Sequence, residues 1–197
     1  KVFTYQVDRA LPDNRNTMFY KEIFSAGAVA LTLIGFIPYI RSIFKGTTKP
    51  HVFSWVIWGL TTTVVFFAIL EDEGGVGAWP IAISGCITLF IALLAFLKRG
   101  DISITRSDQF FFVSALSSLP LWYLTSDPLW AVILLTIVDL LGFGPTVRKT
   151  YHHPHSESIL FFLLFTARNL LVVFALENHT ITTVLFPATI AIACTGL

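Results

Sequence analysis

Seven apolar runs set the terms on which this chain can fold. They lie at about 25–44, 53–70, 76–97, 109–124, 129–147, 159–176 and 180–196, divided by polar, Gly- or Pro-containing loops. Most approach the roughly 20 residues that a helix needs to cross a bilayer. A helix also satisfies its own backbone hydrogen bonds in lipid, where water is absent. Composition agrees. The chain is 55% hydrophobic and 13% charged, against about 25% charged in a soluble domain, and its mean hydropathy is +0.75. The predicted fold class is an all-α membrane protein with seven transmembrane helices. Residues 1–24, polar and mixed in charge, read as an exposed tail on the membrane surface.

Two of the runs carry the same motif. Ile34-Gly35-Phe36-Ile37-Pro38-Tyr39-Ile40-Arg41 and Leu141-Gly142-Phe143-Gly144-Pro145-Thr146-Val147-Arg148 both read apolar-Gly-Phe-x-Pro-x-apolar-Arg, 107 residues apart. At that offset Val65 meets Val172, Phe67 meets Phe174, Ala68 meets Ala175, Pro80 meets Pro187, Ile83 meets Ile190 and Thr88 meets Thr195. A fixed offset held over such a length indicates internal duplication. Pro50-His51 resembles Pro154-His155 at an offset of 104, so the register after that loop stays open. The expected organisation is a first three-helix repeat at 25–97, a linker helix with its loops at 98–128, and a second repeat at 129–197. An odd-numbered unit joined through one extra span returns both copies to the same orientation, which is the parallel-repeat arrangement of some transporters.

Lys and Arg give the expected orientation. Arg41, Lys45, Lys49, Lys98, Arg99, Arg106, Arg148 and Lys149 gather at one end of the runs. The loops of the other end hold Glu71, Asp72, Glu73, Asp127 and Glu177. The basic end is assigned to the cytosol of a plasma or inner membrane, with the amino terminus outside and the carboxyl terminus cytoplasmic. The formal net charge of +1 argues against nucleic acid as the main partner.

Two ionisable residues fall in mid-span, Asp139 in the fifth run and Arg168 in the sixth. Charges at that depth cost several kcal/mol unless paired or hydrated, and they usually mark a functional interior. Their common depth suggests that they face each other as an ion pair. Asn169 adjoins Arg168. At the repeat offset Thr32 stands for Asp139, and Thr61 and Thr62 stand for Arg168 and Asn169, so one wall of a cavity would be lined with hydroxyls and the other charged. Trp58 lies deep enough to stack on a solute, whereas Trp55, Trp79, Trp122 and Trp130 suit an interfacial belt. Pro38 and Pro145 each free a backbone carbonyl near the basic end of a span. Gly35 and Gly142, three residues earlier, permit close helix approach. Together they suit a flexing gate. His152-His153-Pro154-His155 reads as a solvated basic loop, and Cys86 and Cys194, both in apolar runs, read as packing residues. No nucleophile–base constellation, phosphate loop or zinc motif is present, so neither an enzyme nor a cofactor or metal is expected.

The 3+1+3 plan, with a proline near the basic end of the first span of each unit, resembles the SWEET and PQ-loop transporter superfamily over about 25–197. The prolines stand in Pro38-Tyr39 and Pro145-Thr146 where PQ-loop proteins carry Pro-Gln. The third and seventh spans offer Ser84, Thr88, Thr189 and Thr195 where sugar carriers have Asn. The resemblance implies hinges at Pro38 and Pro145, solute-flanking aromatics at Trp58 and Phe165, and proton coupling, if any, at Asp139. The expected function is a small-solute transporter or facilitator that works by alternating access. Its site would be formed by Thr32, Trp58, Thr62, Asp139, Phe165, Arg168 and Asn169, with an anionic solute favoured by the arginine. The partners implied are the solute and the lipid bilayer, and a homo-oligomer is left open. The competing reading is a non-transporting receptor or scaffold on the same fold, whose mark would be an Asp139–Arg168 pair sealed by packing, with no cavity.

Overall fold

The structure, a computed structural model, describes residues 14–98, 102, 104–152 and 159–196, with side chains described from residue 18 onward except at 144–150 and 152. Among these residues there are seven α-helices and no strand. They are α1 (Asn14–Phe44), α2 (Val52–Glu71), α3 (Trp79–Leu97), α4 (Arg106–Thr125), α5 (Pro128–His152), α6 (Ile159–Ala175) and α7 (Ile181–Thr195), and a 3₁₀ turn at Gly75–Ala78 leads into α3. The helix starts are set by local chemistry. His51 Nδ1 caps α2 by accepting from Ser54 N at 3.3 Å. Thr105 and Asp108 form a capping box on α4, with Thr105 N donating to Asp108 Oδ2 at 2.8 Å and Asp108 N donating to Thr105 Oγ1 at 3.2 Å. Thr180 and Thr183 do the same on α7. Such caps satisfy amide groups that have no partner within the helix. α4 ends on Ser126 in the left-handed region (φ 50°), and Pro128 then opens α5, where a missing N–H costs nothing.

This is a membrane protein. Residues 18–44, 52–71 and 75–97 form helices long and apolar enough to cross a bilayer, and 128–143, 159–175 and 181–195 are shorter apolar helical stretches. Large apolar side chains such as Phe67, Phe90, Leu93, Phe96, Leu163 and Ile192 lie on the outside, as expected where the surroundings are acyl chains. The described part of the polar stretch, residues 14–24, forms the first turns of α1, with Met18, Phe19, Tyr20, Glu22 and Ile23 exposed. Tyr20 stacks on Phe24, Phe24 on Phe174, and Lys21 Nζ donates to the Glu177 carbonyl at 3.2 Å, so this extension is held against the end of α6. Residues 1–13 lie outside the described residues.

Helix packing follows one pattern in both halves. α3 packs on both α1 and α2, and α7 packs on both α5 and α6. Across the halves, α1 lies on α6 and α2 on α5, while α4 rests on α5 and α2. Val65, Ile69, Ile81, Val132, Leu135, Val172 and Leu176 fill the shared core, all fully buried.

The acidic end is tied together by its loops. Glu177 N donates to the Gly74 carbonyl at 3.1 Å, and Val76 N donates to Glu177 Oε1 at 3.0 Å. Asn178 Nδ2 donates to the Asp72 carbonyl at 3.3 Å, and Thr180 Oγ1 donates to the Asp72 carboxylate. Ser25 Oγ on α1 donates to the Val76 carbonyl at 2.7 Å. The loop between α2 and α3 is thus locked to the loop between α6 and α7, at the end where Glu71, Asp72, Glu73 and Glu177 collect.

Candidate functional site: an aromatic cavity between the two halves

A cavity of about 310 Å³ lies where α2 and α3 face α5, α6 and α7. Eight of its lining residues are aromatic: Phe36, Trp55, Trp58, Phe143, Phe161, Phe162, Phe165 and Phe186. Five of these rings touch in series. Trp58 meets Trp55 edge-on at 5.4 Å, Trp55 meets Phe36 at 6.3 Å, Phe36 meets Phe165 at 5.6 Å, and Phe165 meets Phe161 at 4.4 Å. Tilted and edge-to-face pairs of this kind are favoured by the ring quadrupole. Trp55, expected in an interfacial belt, is instead part of this wall, with Tyr39 stacked behind it at 5.1 Å. Trp79 and Trp130 are exposed near the acidic ends of their helices, in keeping with a belt, and Trp122 packs on the core.

Of the residues expected at the site, Trp58, Thr62, Asp139, Phe165, Arg168 and Gly142 line the cavity. Thr32 and Asn169 do not. Both are buried behind its wall, where they hold Arg168. Arg168 Nε donates to Thr32 Oγ1 at 3.2 Å, one Nη donates to Asn169 Oδ1 at 2.8 Å, and the other donates to the Pro80 carbonyl at 2.9 Å. Thr32 and Asn169 are fixed in turn by the Ala28 and Phe165 carbonyls at 2.8 Å each. All three guanidinium nitrogens therefore have acceptors, and all of those acceptors are neutral. The expected Asp139–Arg168 ion pair is not formed. Among the described residues the one ion-pair approach is His51 Nε2 to Asp108 Oδ2, 3.9 Å, at the basic end. The physical reason is geometric. α6 turns Arg168 toward α1 and the start of α3, whereas Asp139 lies on the seam between α2 and α5.

There Asp139 has a single hydrogen bond. It is from Thr61 Oγ1, at 3.4 Å, and the same hydroxyl also donates to the Trp58 carbonyl at 3.0 Å. Ser84 lines the cavity too, and its hydroxyl makes no hydrogen bond among the described residues, although the residue is 7% exposed. Thr88, whose hydroxyl donates to the Ser84 carbonyl at 2.7 Å, lies one turn further along α3.

The contacts run in exchanged pairs at an offset of 107 residues. Arg168 donates to Thr32 and Thr61 donates to Asp139, and these residues are 107 apart in both combinations, Thr32 with Asp139 and Thr61 with Arg168. The glycines face aromatic partners at the same offset. A Cβ on Gly35 would stand 2.9 Å from Phe165 Cε2, and one on Gly142 would stand 3.6 Å from Trp58 Nε1. Trp58 and Phe165 are again 107 apart. Pro38 is exposed within an unbroken α1. The backbone of α5 continues as helix through Pro145, whose side chain lies outside the described residues, as does the histidine loop from His153 on. Cys194 is buried and lines the cavity, while Cys86 is exposed on α3.

Sequence reasoning missed Thr61 as the partner of Asp139 and the Pro80 carbonyl as an acceptor for Arg168. The offset pairing Thr61 with Arg168 held the signal for the first. A backbone carbonyl has none. No protein-family model, curated protein or solved structure matches this chain, so a functional reading rests on the site itself.

Proposed function

We propose that this protein is a small-solute transporter or facilitator of the SWEET and PQ-loop kind, two parallel three-helix units joined by α4 and working by alternating access. The observation that carries the proposal is the cavity at mid-depth between the units, lined by aromatic rings and by both intramembrane charges. Solute sites between structural repeats at this depth are the expected place for a transporter's binding site. The exchanged contacts Thr32–Arg168 and Thr61–Asp139, the matched packing of α3 and α7, and the crossed pairs α1–α6 and α2–α5 support a pseudo-two-fold relation between the units. On this reading the basic end faces the cytosol. The interlocked loops at Asp72–Val76 and Glu177–Thr180 close the opposite face. Four hydrogen bonds between these loops must part there, at ~0.5–1.5 kcal/mol net each. That is the scale on which solute binding can shift a two-state equilibrium.

The test is uptake into proteoliposomes across a library of organic cations, sugars, amino acids and small organic acids. At least one should accumulate by a saturable route, and Pro38→Ala should slow its flux while leaving its binding largely intact, because Pro38 is not in the cavity wall. If nothing in the library moves and the purified protein binds none of it, the transporter reading fails and the receptor or scaffold reading replaces it.

A further inference from the structure

The sign of charge that the cavity accepts follows from how its two ions are partnered. Arg168 has turned every guanidinium nitrogen to a protein acceptor, on α1, on α6 and at the start of α3. A carboxylate or phosphate entering the cavity would find at most the second N–H of each Nη, on a guanidinium already held by three neutral acceptors at 2.8–3.2 Å. Asp139 is the opposite case. Its carboxylate lines the cavity with one long hydrogen bond, and the donor, Thr61, is shared with a backbone carbonyl. A carboxylate removed from bulk water and given a single donor is poorly compensated, so a cation beside it gains the most. The walls around it are aromatic, and ring faces attract cations, most strongly when water is excluded. Trp58 is tied to the same seam. Its carbonyl shares the Thr61 hydroxyl with Asp139, and its Nε1 lies against Gly142, three residues along α5 from Asp139. The carboxylate and the indole therefore border one corner of the cavity.

We infer that the solute is an organic monocation, an amine or ammonium carrying an apolar or aromatic body and no carboxylate, with its charge at Asp139 and its body against Trp58, Trp55 and the Phe36–Phe165 rings. The assignment rests on the cavity being the solute site proposed above. It reverses the expectation from sequence that the arginine selects an anion. Ser84, with a free hydroxyl in the same cavity, supplies one neutral polar contact.

The test measures binding to the purified protein in detergent, separately from transport. Benzyltrimethylammonium, benzyl alcohol, benzenesulfonate and zwitterionic phenylalanine are titrated, and the change in tryptophan fluorescence is read. Benzyltrimethylammonium should bind saturably and more tightly than the other three. Asp139→Asn should weaken it by about 10–100-fold, the worth of one close charge pair without a hydrogen bond, and Trp58→Leu should weaken it less. The four-probe comparison on the unaltered protein keeps the inference testable if Asp139→Asn does not fold. Tighter binding of benzenesulfonate or phenylalanine, no saturable binding of the cation, or an unchanged affinity in a folded Asp139→Asn overturns it. The two proposals fail separately. A cation that binds through Asp139 but does not cross a proteoliposome membrane removes the transporter reading and leaves this one. A sugar or an anion that binds and crosses does the reverse.

Discussion

Gly35 and Gly142 hold equivalent places in the two Gly-Phe-x-Pro segments, yet alanine should act on them in opposite directions. In a helix, Gly→Ala gains ~0.8–1.0 kcal/mol from backbone entropy alone, and both positions collect that term. At Gly142 the new methyl would meet Trp58 Nε1 at 3.6 Å, an ordinary van der Waals contact. Gly142→Ala should therefore stabilise the protein by about 1 kcal/mol. At Gly35 the methyl would stand 2.9 Å from Phe165 Cε2. That ring cannot simply swing aside, since Phe36 packs on it at 5.6 Å and Phe161 at 4.4 Å. Overpacking of this kind costs ~1–3 kcal/mol, which leaves Gly35→Ala between neutral and about 2 kcal/mol destabilising. The two variants should thus differ by about 1–3 kcal/mol. For a chain of this size each kcal/mol moves Tm by roughly 2–4 °C, so a mid-range difference of ~2 kcal/mol separates them by about 4–8 °C. Thermal unfolding in one detergent, followed by tryptophan fluorescence, measures it. A Tm for Gly142→Ala at or below that of Gly35→Ala would refute the asymmetric contact on which the reasoning rests. Gly35→Ala should also weaken benzyltrimethylammonium binding, because the displaced Phe165 ring is part of the cavity wall.

The partner assignment of Arg168 predicts where coupling lies. A double-mutant cycle of Thr32→Val with Arg168→Met should show an interaction of about 1.5–3 kcal/mol, as for a hydrogen bond to a charged group, and the cycle of Asp139→Asn with Arg168→Met a smaller one; the reverse order would restore the direct ion pair. The proposed orientation puts the loop between α1 and α2 in the cytosol, so Thr47→Cys, in a background lacking Cys86 and Cys194, should resist an impermeant thiol reagent added outside intact cells. Ready labelling there inverts the topology.

Residue order alone carried the helices, because in lipid an apolar stretch must satisfy its own backbone, and that requirement does not depend on what the stretch packs against. The cost of an isolated charge in lipid likewise made Asp139 and Arg168 legible as interior residues, and the offset of 107 brought Thr32 and Thr61 into the same picture. The partner of each charge was not legible. Successive residues on a helix point about 100° apart, so a modest rotation of α6 about its axis decides whether Arg168 meets Asp139 or turns to Thr32, Asn169 and the Pro80 carbonyl. Rotation is set by the whole packed interface, here by Phe165 fitting against Gly35 and by Val172 and Leu176 filling the core. The same holds for Trp55. Its depth near the basic end is compatible with a lipid interface, and only its contacts with Tyr39, Phe36 and Trp58 turn it inward. The polar first turns of α1 became helix because the end of α6 offers Phe174 and the Glu177 carbonyl as partners. Those partners lie 150 and 156 residues away along the chain, beyond the reach of any local pattern. Composition and spacing thus determined where the apolar helices lie, and tertiary packing decided which side chains meet and how each charge is partnered.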